Sequence, residues 1–160
     1  PPSIPPFLPP PLYLKTPLTY PTPPGYTSNR NRTLSHLYTH SISNTAFLAG
    51  DSHANWVSDL VWLDQKPYDP VTGLGAIGVE FAGTAVSSTG YGSGRSIANS
   101  SDRSAALVRD NPELQWTEGY YRGYYELVVG AEELVARYYG KLDFSLLFIF
   151  TSSFDCPSTC

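Results

Sequence analysis

The run Thr45-Ala46-Phe47-Leu48-Ala49-Gly50-Asp51-Ser52-His53 decides how this chain is read. Residues 45–49 are a short apolar run suited to a buried strand. Gly50 lets the backbone turn sharply, because it has no Cβ to clash. Asp51 then supplies a hard oxygen and His53 a borderline nitrogen, with Ser52 as a spacer. A strand that runs into Gly-Asp-x-His presents two metal ligands at a sheet edge. The structural alternative is an N-capping aspartate beside a loop histidine bonded to backbone. One carboxylate and one imidazole do not hold a catalytic metal cluster, so further ligands are needed.

Working outward, residues 29–42 place Leu34, Leu37, Tyr38 and Ile42 at helical spacing, with Ser28 or Asn29 as the cap. Residues 53–63 fit a helix turn passing into a strand. Residues 66–74 form a loop broken by Pro67, Pro70 and Gly73. Residues 76–82 alternate Ile77, Val79 and Phe81, a strand pattern. Residues 84–104, rich in Gly and Ser, read as a long surface loop. Residues 120–129 read as a strand, with Tyr121 and Tyr125 on one face and Tyr120 and Tyr124 on the other. Residues 131–139 fit helix or strand equally. Strands outnumber helices, so a sheet carries the architecture of an α/β fold.

Three zones follow. Residues 1–24 are crowded with proline, which excludes a helix interior or an inner strand. They suit an extended arm for a Pro-recognising domain, or they are non-native sequence; the abrupt change at Gly25 favours the second. Residues 25–140 look globular. Residues 141–160 read either as a final strand with a frayed tail or as read-through of non-coding sequence. The zone's two cysteines, Cys156 and Cys160, make neither a disulfide framework nor a zinc site.

The net charge of −4 leaves no basic stripe, which argues against a nucleic-acid partner. The apolar stretch 142–150 is far below the ~20 residues needed to span a bilayer. No signal peptide is evident at the first residues. Asn31-Arg32-Thr33 and Asn99-Ser100-Ser101 match the glycosylation pattern and lean toward a secreted or extracellular setting.

Gly50-Asp51-Ser52-His53-Ala54-Asn55-Trp56, followed by Val79-Glu80-Phe81-Ala82-Gly83-Thr84-Ala85-Val86-Ser87-Ser88, resembles the PhoD-like alkaline phosphatases. Gly25-Tyr26 is similar to the end of the family's Trp-Asp-Gly-Tyr segment, and residues 111–125 to its Asn-Pro-x-Leu-x-Trp…Gly-Tyr stretch. The resemblance covers residues 25–140. It implies the C-terminal part of a calcineurin-like metallophosphoesterase αββα sandwich that hydrolyses phosphate mono- or diesters with iron and calcium. It puts Asp51 and His53 in the metal shell and Trp56 beneath the loop.

Glu80 is read as a structural carboxylate paired with an arginine. Ser87 and Ser88 could line the site, and His36 with His40, one helical turn apart, could chelate a metal but fit an exposed helix face. The family's Gly-Asp-x-x-Tyr and Asp-His-Asp segments, which carry most of its ligands, are missing from this sequence. The chain is therefore expected to be an incomplete, inactive fragment that does not retain its metals, with an unpaired sheet edge. The competing reading is a non-catalytic binding protein: a Pro-rich arm on a remnant β domain.

Overall fold

The computed structural model describes residues 24–63, 65–91, 96–140 and 146–153. Its elements run α1 (Pro24–Thr39), β1 (Thr45–Ala49), β2 (Asn55–Leu60), β3 (Gly78–Ala82), α2 (Ile97–Asp110), β4 (Leu114–Glu118), β5 (Gly123–Val129), β6 (Glu133–Gly140) and β7 (Leu146–Ser153). This is a mixed α/β chain with two sheets.

Helix α1 opens at Pro24, whose fixed φ and missing N–H suit a first helical position. Ser28 and Asn29 therefore lie inside the helix and do not cap it. The C-terminus closes early because Ser41 turns left-handed, at φ 53°. Ile42 N then donates to Leu37 O at 2.9 Å and Ser41 N to Tyr38 O at 3.3 Å, a Schellman closure. Ile42 thus ends up outside the helix.

The first sheet has the order β1-β3-β2-β4. β3 is internal: β1 runs parallel to it, with Thr45 opposite Gly78, and β2 runs antiparallel, with Trp56 opposite Ala82. A bulge between Val57 and Ser58 interrupts the β2–β4 pairing. The second sheet is an antiparallel meander, β5-β6-β7. Val57, Val79 and Phe81 from the first sheet pack against Leu134, Ala136 and Tyr138 from the second. On its opposite face the first sheet receives α1, through Leu34, Leu37, Leu60 and Ile77. The layers are helix, sheet, sheet.

Several expectations are corrected. β1 is a strand but not a buried one: it alternates half-buried with exposed, and Leu48 is 61% exposed. It pairs only with β3 among the described residues, which leaves its other edge open. The second half of the 84–104 loop is helix α2. The Ser96 side chain caps it by accepting from Asn99 N at 3.2 Å, and the helix packs along β4. The ambiguous 131–139 stretch is strand β6, fixed by pairing on both sides. Tyr120 and Tyr121 precede β5 and meet edge-on, while Tyr125 stacks on Tyr138 and Tyr124 points outward onto Tyr139. The last zone contributes β7. The proline-rich arm up to residue 23 and the terminal cysteines fall outside the described residues. No helix among the described residues is long and apolar enough to cross a membrane.

Candidate metal centre

β1 delivers the chain into the 50–54 loop at the open side of the first sheet. The sharp turn does not depend on Gly50, which has neither a positive φ nor any neighbour that a Cβ would meet. The left-handed residues are instead Asp51, at φ 65°, and His53, at φ 55°. Aspartate and histidine tolerate this region better than most residues, because a short polar side chain can bond locally. Both ligand candidates therefore sit on a backbone conformation that bulky β-branched residues avoid.

Five side-chain hydrogen bonds brace the loop and its surroundings. His53 Nδ1 lies 3.0 Å from Thr89 O, and a carbonyl can only accept. The proton is thus on Nδ1, and Nε2 keeps its lone pair. Backbone carbonyls commonly orient a metal-binding imidazole in this way. The Thr84 hydroxyl lies 3.1 Å from His53 O and 3.3 Å from Tyr121 O, joining the loop to the start of β5. Thr84 N donates to Asn55 Oδ1 at 3.0 Å. Trp56 Nε1 donates to Ser52 Oγ at 2.7 Å. Ser52 is therefore more than a spacer: it is the anchor by which Trp56 holds the loop. Gly90 is required here, since a Cβ on it would meet His53 O at 2.3 Å and Gly119 O at 2.7 Å.

Asp51 is exposed, and its carboxylate makes no hydrogen bond or ion pair among the described residues. Its oxygens are free to take a cation. Among the described residues, no three His, Cys, Asp or Glu side chains form a group that could hold a metal ion. Asp51 and His53 fit as two donors, a hard oxygen and an imidazole nitrogen, and no third joins them.

The other carboxylates take different environments. Glu80 lies on β3 between Phe47 of β1 and Ser58 of β2, only 4% exposed. No arginine pairs with it among the described residues, contrary to the expected ion pair. The carboxylate is buried inside the fold, while Arg109 meets Asp110, Arg137 meets Glu126 and Arg122 meets Ser87 O. Burial pushes the Glu80 carboxyl up to about 7. Glu118, at the end of β4, accepts Tyr121 N at 3.0 Å and closes the turn into β5. Burial raises its carboxyl too, against the lowering effect of those amides. Ser87 and Ser88 are exposed, and Ser87 O accepts from Arg122 Nε at 3.1 Å.

A cleft of about 530 Å³ lies between α2 and β4, lined by Ser100, Trp116, Glu118 and Tyr120 among others. It does not include Asp51 or His53. The bracing residues Thr84, Thr89, Asn55 and Gly90 were invisible to sequence reasoning. Each acts across the fold, and Thr89 reaches His53 from 36 positions away.

The family model described as PhoD-like phosphatase matches residues 13–138, beginning inside the proline-rich zone. The chain is similar to alkaline phosphatase D of Bacillus subtilis (strain 168), with 29% identity over 114 residues. That match takes in 71% of this chain and 18% of the relative. A solved structure of PhoD aligns with a TM-score of 0.57 and 25% identity, over 81% of this chain and 23% of the other. The chain spans about a fifth of the length of the relatives it matches.

Proposed function

The chain belongs to the PhoD-like phosphatase family, and on that premise we propose that its 50–54 loop is one side of a metal-dependent phosphoesterase centre. Asp51 and His53 serve as ligands in this reading. The observation that supports it best is the Nδ1 hydrogen bond from His53 to Thr89 O, which leaves Nε2 as the only ring atom able to bind an ion. The exposed Asp51 carboxylate is the second donor. The substrate class is a phosphate mono- or diester, and the ions are those of the family resemblance, iron and calcium. Such ions, when bound, neutralise phosphoryl oxygens and lower the pKa of a water. Thr84 and Trp56 hold the loop in place. Two donors are too few for a catalytic cluster, so this polypeptide alone is expected to be a silent segment of the catalytic domain.

The test is metal analysis of the purified chain after exposure to iron and calcium, with turnover of a nitrophenyl phosphodiester measured alongside. The chain is expected to bind an added ion weakly, too weakly to keep it through purification, and to turn over little or no diester. Asp51→Asn or His53→Ala should each weaken retention by ~10-fold or more. Retention unchanged by both substitutions, or a folded chain that binds neither ion, rejects the assignment.

A further inference from the structure

The C-terminal end of α1 carries a histidine pair that the 50–54 loop does not use: His36 in its last turn and His40 just beyond it. The rings of His36 and His40 lie with centroids 4.2 Å apart, tilted by 36°. Both residues are exposed. His40 Nδ1 lies 2.9 Å from His36 O. That carbonyl can only accept, so the His40 ring proton sits on Nδ1 and the Nε2 lone pair is left free. The same carbonyl also accepts His40 N at 3.1 Å, which keeps the helical geometry through residue 40. The Schellman closure at Ser41 and Ile42 pins the turn just beyond. Arg32, one turn earlier, donates to Asn29 Oδ1 at 2.6 Å.

From this the geometry points to a second metal site: His36 and His40 as a two-nitrogen chelate for a borderline divalent ion, zinc or nickel. Imidazole suits these ions, whereas calcium and magnesium prefer oxygen. Imidazole nitrogens bind at about 2.0–2.1 Å, so neighbouring ligands sit about 3 Å apart. The ring centroids are already 4.2 Å apart, so side-chain rotation can turn one nitrogen of each ring toward a shared ion. The negative end of the α1 dipole lies at this turn and favours a cation. Water completes the coordination shell. The site is independent of Asp51 and His53 and does not rest on the phosphoesterase reading.

The experiment is calorimetric titration of the full chain with zinc and then nickel, with Cys156 and Cys160 alkylated so that thiolates do not compete. Wild type, His36→Ala, His40→Ala and His53→Ala are compared. Alanine on this exposed helix raises helix propensity, so neither His36→Ala nor His40→Ala should unfold it. One ion per chain is expected. Binding should weaken by ~10-fold or more in both His36→Ala and His40→Ala. It should survive in His53→Ala, and it should disappear in urea, where the helix that sets the spacing is gone. The proposal is overturned if no zinc or nickel binds, if the affinity is unchanged by either α1 substitution or by urea, or if His53→Ala alone removes binding.

Discussion

β1 and β3 lie side by side in parallel register and yet have opposite fates. β3 is covered on both flanks and both faces, so Val79, Glu80, Phe81 and Ala82 are all buried. β1 has one neighbour among the described residues, and its Leu48 is 61% exposed. The covered strand sets stability and strips water even from a carboxylate. The edge strand carries little of the core, and it launches the loop whose polar groups remain able to meet an ion. Chemistry sits where the packing stops.

The sharpest way to break this comparison is to truncate one apolar side chain on each strand. Phe81→Ala removes a fully buried ring from the interface between the two sheets and should cost about 3–5 kcal/mol. Leu48→Ala on β1 should stay within about 0.5 kcal/mol. Urea denaturation of both variants measures the difference. Equal losses would mean that β1 is packed as tightly as β3.

Next in size is the pH response of β3. The Glu80 carboxyl is raised from its ordinary 4.5 to about 7 by burial. Below about pH 4.5 it is neutral in folded and unfolded chains alike, and it costs nothing. Between about pH 4.5 and 7 the unfolded chain gives up its proton first, so stability falls as pH rises. Above pH 7 the full penalty stands, about 3 kcal/mol. Glu80→Gln should therefore be more stable than wild type at pH 8 by about that amount, and its slope should be shallower, since the raised Glu113 and Glu118 carboxyls keep their own contributions. The same denaturation series run from pH 4 to 8 reads it; a slope undiminished in Glu80→Gln would place its origin elsewhere.

The smallest effect lies in the loop. Asp51 holds a φ of 65°, a conformation glycine adopts without steric cost. Asp51→Gly should leave stability unchanged or raise it by up to about 1 kcal/mol, while weakening metal retention. A thermal melt and a metal titration on one sample separate the two. A clear loss of stability would show that the Asp51 side chain is structural and not held for a ligand.

Much of the frame was legible beforehand. The 45–49 run and the Ile77-Val79-Phe81 alternation identified β1 and β3, because strand periodicity is a local property. The spacing of Leu34, Leu37 and Tyr38 identified α1. Helix α2 was hidden because Ser100, Ser101 and Ser104 look like loop composition. Only packing against β4 gives that helix its stability, and Ser100 is buried there. β2 was ambiguous because both of its faces are covered, which erases the alternation. Asp51 and His53 were legible as donor types, but the hydrogen bonds that orient the loop were not.

By itself the sequence determined the chemistry available at residues 50–54, the identity of the strand leading into it, the acidic charge balance and the family. Those depend on residue type and short-range spacing. Only the tertiary structure decided that, among the described residues, β1 is an edge and Glu80 has no arginine beside it, and that Thr89 sets the proton position on His53. Strand order, register and cross-chain hydrogen bonds join residues far apart in sequence, and side-chain periodicity says which face a residue takes but not what it meets there.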